Sequence, residues 1–230
     1  MSAGLRVLFC DNHLLVVAKP AGMPAVPDAS GDESLLDRAR EWVRIEFAKP
    51  GAVFLGVVHR LDRPVSGVVV FARTSKSAAR LAPQWRARTA CKIYWGVCGA
   101  IPSAPAGACE QWLVKDRDAN RVRIAPAGSA DSKHAVTRWR VLEQRAGRAL
   151  VELVPKTGRP HQLRVCAASL GAPLVGDLKY GAREPLDDAS IALHARSVEF
   201  DHPTRGERMT FAAPVPDHRV WDFALCRESR

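Results

Sequence analysis

Apolar residues recur at two different periods along this chain, and the switches between the periods mark its elements. Arg6 to Phe9 and Leu14 to Lys19 are short aliphatic runs joined at Asp11-Asn12, residues whose side chains bond their own backbone in tight turns, so the pattern predicts two short strands. Pro20, Gly22, Pro24 and Pro27 then impose a loop. From Ser34 to Phe47 the spacing turns helical, with Leu35, Ala39, Trp42, Val43 and Phe47 on one face and Asp32 or Ser34 as N-cap. Val68 to Ala72 is a continuous apolar run suited to a buried strand. Ser75 to Arg88 returns to helical character, with a kink expected at Pro83, and Cys91 to Val97 reads as strand again. Pro102, Pro105 and Gly107 predict a loop. Beyond it a meander is expected, with strands at Gln111 to Val114, Arg121 to Ile124, Ala135 to Leu142 and Ala149 to Val154.

Composition narrows the class of protein. The 230 residues are 47% hydrophobic, enough to bury a full core in one large domain or two lobes, so disorder is not the default expectation. A net charge of +10 and a pI of about 9.8 favour polyanionic partners, of which RNA and DNA are the commonest large ones. The six cysteines, Cys10, Cys91, Cys98, Cys109, Cys166 and Cys226, include no C-x-x-C pair and no zinc-ligand spacing. With no signal peptide ahead of the first strand-like run, they predict reduced thiols in the cytoplasm and no metal. No apolar stretch approaches the roughly 18–20 residues of a membrane span.

Chemistry concentrates in three places. His59-Arg60-Leu61-Asp62-Arg63-Pro64-Val65-Ser66-Gly67 lies between apolar runs, and Asp62 is the last acid before a stretch, Arg63 to Cys109, that has none. The same stretch carries Arg63, Arg73, Lys76, Arg80, Arg86, Arg88 and Lys92, so Asp62 is expected to stay ionised and is a candidate nucleophile. Gly158-Arg159-Pro160-His161-Gln162-Leu163-Arg164 reads as the start of a short helix, with Pro160 in its first turn and Gly171 at its end. His161 and Arg164 share a face there, and Arg159 stands where the helix dipole favours an anion. Lys92-Ile93-Tyr94 puts an amine and a phenol on one side of a strand. Each piece also has an ordinary structural reading: Asp62 as a turn cap before Pro64, Lys92 and Tyr94 as a solvated sheet face, Arg164 as an exposed helical arginine, His161 as a satisfied helix-start residue. Their joint occurrence is what packing alone explains poorly.

Taken together, these residues resemble the RluA family of RNA pseudouridine synthases. His59-Arg60-Leu61-Asp62 through Ser66-Gly67 is similar to that family's H-R-L-D-x-x-x-S-G signature, Lys92-x-Tyr94 to its second motif, and Gly158-Arg159-x-His161-Gln162-x-Arg164 to its third. Leu14 to Gly22, Pro173 to Gly181 and Leu193-His194-Ala195 fit further family segments, so the resemblance spans about residues 6 to 215. Val65, Pro160 and Cys166 depart from the usual pattern at positions with no proposed catalytic role.

The resemblance implies isomerisation of uridine in ribosomal or transfer RNA by one catalytic domain without a cofactor; the first strand-like run within the first ten residues predicts no separate N-terminal RNA-binding domain, and a monomer is the default expectation. Asp62 would be the nucleophile, attacking either the ribose carbon or the ring; Arg164 would pair with it, and Tyr94 would stack on the extruded uracil. Arg60 would fill the gap left by the flipped base or hold the flipped backbone. His59, Arg63, Arg86, Arg88, Lys92, Arg159 and His161, with Arg117, Arg121, Arg123 and Lys133, would contact RNA. The implied fold is α+β, a mixed, mainly antiparallel sheet with flanking helices and a central catalytic cleft. Two rival readings are a catalytically silent RNA-binding or assembly protein on the same scaffold and a hydrolase using a second carboxylate. The second would need a partner acid, for which Asp177 is the nearest candidate in the later motif, although its setting reads as a structural turn.

Overall fold

The computed structural model describes residues 4–116 and 118–222, so Arg117 and Cys226 lie outside the described residues. Its strands are β1 (Arg6–Cys10), β2 (Leu14–Lys19), β3 (Gly56–Val57), β4 (Ser66–Ala72), β5 (Cys91–Cys98), β6 (Ala106–Asp116), β7 (Arg121–Ala125), β8 (Lys133–Arg145), β9 (Arg148–Pro155), β10 (Leu193–Asp201) and β11 (Arg208–Ala212). The helices are α1 (Leu35–Glu46), α2 (Ser75–Ala87) and α3 (Gln162–Ser169). The class is α+β, with mixed but mostly antiparallel strands. The chain forms two compact units, Met1–Cys91 with Ala195–Pro214, and Lys92–His194 with Val215–Arg230.

In the first unit the strands lie in the order β1-β2-β4-β10, with β11 paired to β10 and β3 to β4. The Asp11 turn forms as its sequence predicts: one carboxylate oxygen accepts from the backbone N–H groups of His13 and Leu14, at 2.7 and 2.8 Å. Every residue of β4 is buried, which accounts for its unbroken apolar run. Ser34 caps α1 by accepting from the Asp37 amide, and the helix buries Leu35, Leu36, Ala39 and Val43. Phe47 departs from the expected face: it is the C-cap residue, 42% exposed, and packs edge-on against Trp42 beneath the Arg73 guanidinium. Helix α2 is capped by Thr74, continues through Pro83 and stops where Arg88 turns left-handed. Leu14, Val16, Val68, Val70, Leu81 and Phe200 form the core between α2 and the sheet.

The second unit orders its strands β5-β9-β8-β6-β7. This corrects the expected meander: β6 and β7 form a hairpin, but β8 returns to the far side of β6 rather than continuing beside β7. The loop expected at Gly107 is also shorter, since β6 begins at Ala106 and runs across β8 from Trp139, against whose ring a Cβ at Gly107 would press at 3.3 Å. The expected helix start is later too. His161 is the N-cap of α3 and adopts a left-handed backbone, so Pro160 precedes the helix instead of entering its first turn. Gly171, left-handed as well, follows the C-cap as expected. One core of this unit joins Leu113, Val122 and Ala135 of the sheet to Val165 of α3 and to Tyr180.

Candidate active site

Asp62 sits half-buried on the loop before β4. Its backbone carbonyl accepts from the Val65 N–H at 3.0 Å, closing a turn over Arg63 and Pro64, so the main chain makes this turn bond. The loop is held from below by Lys19, which is 2% exposed at the end of β2. Its ammonium donates to the carbonyls of Pro20, Met23 and Arg63, at 2.9, 2.8 and 3.0 Å. Three donors meet three acceptors, and one cation ties the proline-rich loop to the Asp62 turn. Burial pushes the Lys19 pKa down to about 7, against the upward pull of the Asp62 carboxylate; the Arg63 charge acts in the same direction as burial. The Gly22 N–H also donates to the Arg63 carbonyl at 2.9 Å. The Arg63 guanidinium binds back to the Gly22 carbonyl and the Asp32 carboxylate, which gives this expected RNA contact a bracing position within the loop.

The neighbouring motif residues divide in two. Arg60 is exposed beside the turn. His59 points inward: Nε2 accepts from the Val70 N–H at 3.0 Å, and the ring stacks on Trp85 with centroids 5.1 Å apart. Because that nitrogen carries the lone pair, the imidazole is the Nδ1–H tautomer. Arg86 and Arg88 are exposed at the C-terminal end of α2.

Gly67 closes the motif for a steric reason. Its φ is +121°, and a Cβ would lie 2.3 Å from the Ala195 carbonyl oxygen. Only glycine lets β4 and β10 approach this closely.

In the second unit Arg164 and His161 converge on Tyr180. The Arg164 guanidinium lies 4.9 Å from the Tyr180 ring centroid, and His161 Nδ1 is 2.7 Å from the phenol oxygen. That oxygen accepts from the Val122 N–H at 2.8 Å, so α3 and the β6-β7 hairpin share one polar hub, and burial pushes the phenol pKa up. Arg164 also forks Asp177 through Nε and Nη2, at 2.7 and 2.6 Å. Gln162, 4% exposed, fixes the entry to α3: its amide oxygen accepts from Thr157 Oγ1 and the Arg159 N–H, while its nitrogen donates to Val136 O and Thr137 Oγ1. Arg159 donates from Nε to the His134 carbonyl at 2.9 Å. Lys92 and Tyr94 alternate along β5, both half-buried, and Tyr94 pairs with Leu153 of β9.

Lys19, Asp177, Tyr180 and Gln162 emerge as supporting residues that local pattern alone did not assign. Lys19 and the Gly176-Asp177-x-x-Tyr180-Gly181 run do fall in segments that carry the family resemblance. Asp187, Asp188 and His218 approach one another as metal ligands would. However, Nδ1 of His218 accepts from the Val220 N–H, which leaves Nε2 protonated and donating to Asp187 at 2.6 Å. The imidazole therefore has no lone pair to give a cation.

Comparison with known proteins identifies the family and the fold. The RNA pseudouridylate synthase family profile matches residues 13–169. The ribosomal large subunit pseudouridine synthase D of Pseudomonas aeruginosa is 34% identical, the match covering 98% of this chain and 73% of that protein. Its counterpart in Xanthomonas campestris is 36% identical, covering 93% of this chain and 66% of its own length. The solved structure of human RNA pseudouridylate synthase domain containing 4 superposes with a TM-score of 0.79 at 27% identity, over 96% of this chain and 92% of that one. The chain belongs to the RNA pseudouridylate synthase family, enzymes that isomerise uridine to pseudouridine in RNA, and within it to the RluA group.

Proposed function

We propose that the protein acts as a single catalytic domain that isomerises one or a few uridines of ribosomal RNA, with transfer RNA as the other candidate substrate. Asp62 is the nucleophile, Tyr94 stacks on the uracil and Arg164 pairs with the nucleophile. A uridine in structured RNA is hidden by stacking, and extruding it costs a few kcal/mol, which Arg60 offsets by occupying the vacated space. His59 supports the motif from inside the fold, while Lys92, Arg159 and His161 line the RNA path. The reaction needs no cofactor: base detachment and reattachment through carbon 5 are served by one carboxylate, one phenol and fixed cations.

The observation that carries this reading is the setting of Asp62. It is a half-buried carboxylate on a turn whose backbone is held by a buried ammonium and an arginine, with no other acid in the 46 positions from Arg63 to Ala108. A rigid loop that presents one carboxylate suits attack on a positioned substrate. The ribosomal reading leans on the two bacterial relatives, whose names specify the large ribosomal subunit.

The test uses unmodified RNA carrying tritium at carbon 5 of uridine. The wild type releases tritium to water, and Asp62→Ala lowers release by roughly a thousandfold or more, as loss of a covalent nucleophile does. Equal release by both proteins removes Asp62 from the mechanism; a wild type inactive on both ribosomal and transfer RNA favours the silent binder.

A further inference from the structure

The second unit contains a cleft of about 290 Å³ that the third motif borders only through Arg159 and Pro160. Strand register builds it. Leu113 pairs with Lys133 across β6 and β8, and Lys115 pairs with Val122 across β6 and β7. Directly opposed residues point to the same face, as do positions two apart on one strand. Leu113, Lys115, Val122 and Lys133 therefore share one face, with the aliphatic pair buried and the two ammonium groups exposed at the rim. The remaining wall comes from Arg159 and Pro160, immediately ahead of α3. Arg159 is held in place by its Nε bond to His134 O and by the Gln162 amide at its own N–H.

This arrangement has the chemistry of a nucleotide site. Three cations converge on a small volume with an apolar floor, near the lower end of the roughly 300–1,000 Å³ typical of ligand cavities. A phosphate suits the cations, a base face suits Leu113, Val122 and Pro160, and the volume excludes a duplex. The single lining acid, Asp131, is exposed on the turn before β8 with a left-handed backbone, and its carboxylate can accept an N–H from a base edge. The floor is tied to the polar hub at the start of α3, because the Val122 N–H donates to the same Tyr180 oxygen that meets His161.

We propose that this cleft holds one unstacked nucleotide of the RNA strand that flanks the reacting uridine, with its phosphate against Lys115, Lys133 and Arg159. The inference rests on the RNA-isomerase reading above. It adds a second anchoring point, on the Pro160 side of α3, which sets the register of the strand relative to Arg164.

The test measures binding of a fluorescein-labelled single-stranded RNA containing a target uridine, by anisotropy across salt, for the wild type and the Lys115→Ala/Lys133→Ala variant. Both lysines are exposed, so the fold is expected to persist, as circular dichroism would verify. The variant binds roughly tenfold more weakly at low salt, and the slope of log affinity against log salt shrinks by about 0.7, the value of one single-strand phosphate contact. RNA with 4-thiouridine beside the target photocrosslinks to the peptide that carries Leu113 or Val122. Unchanged affinity and slope overturn the proposal, and so do crosslinks that all fall outside these strands. Tritium release by the wild type is scored separately: its absence removes the isomerase reading, while anisotropy still decides whether the cleft binds RNA.

Discussion

Arg164 and Asp177 form a two-point ion pair with side chains only 7% and 0% exposed, so a charge pair stands in the interior of the second unit. Such a pair orients more than it stabilises, because desolvation of both ions offsets most of their attraction. Its consequence here is a guanidinium locked flat, with the Tyr180 ring on one side. It also bears on the hydrolase rival: the second acid that reading requires is committed to Arg164 at both oxygens.

Breaking the pair from one side leaves a buried cation without its counter-ion. Asp177→Asn is expected to lower unfolding free energy by about 3–5 kcal/mol, read from urea denaturation. Arg164→Lys should also fail, since one ammonium cannot reproduce the fork. A loss below about 1 kcal/mol for Asp177→Asn would contradict a structural role for the pair.

Lys19 supplies a pH-dependent prediction whose sign follows from its depressed pKa. Folded, the group titrates at about 7; unfolded, near 10.5. Between those values the unfolded chain binds the additional proton, so the Lys19 contribution to stability rises with pH. Below the window both states are protonated and the cost of burying the charge is fully present. Relative to Lys19→Met, the wild type should gain stability from pH 7.5 to 9.5, by up to about 1.4 kcal/mol per pH unit. A pH-independent difference between the two proteins would refute the assignment.

Gly67→Ala tests the close approach of β4 to β10. The added methyl meets the Ala195 carbonyl oxygen at 2.3 Å and sits on a backbone with φ of +121°. Overpacking and strain together predict a loss of roughly 3 kcal/mol or more, seen as a lower thermal midpoint and less soluble protein. A wild-type melting curve would mean that the two strands can separate without penalty.

Arg86 and Arg88 stand exposed at the end of α2 and test sequence-independent RNA contact in the first unit. Their double replacement by Ala should weaken RNA binding and reduce its salt dependence, while turnover persists in saturating RNA. Binding equal to wild type at low salt would remove them from the RNA path.

The sequence carried much of the local structure. The strand at Leu14–Lys19, the helix capped by Ser34 and the buried run before Ala72 all follow from nearest neighbours and side-chain period, and they form where expected. The left-handed backbone of His161 was not legible, nor was the partner of its ring, Tyr180, which lies 19 positions away. The order of β6, β7 and β8 was equally hidden, since alternation reports which face a residue takes and not which strand lies beside it.

The catalytic candidates, their motif spacing and the RluA-type family were thus decided by sequence alone, because they reside in contiguous runs whose chemistry is written in order. Only the tertiary structure decided who supports them: Lys19 against the Arg63 carbonyl 44 positions on, Arg164 against Asp177, and the lysine-rimmed cleft assembled from three strands and a loop. The physical reason is that a buried charge takes its partner from whatever the packed chain brings within hydrogen-bond reach, and sequence period carries no record of that distance.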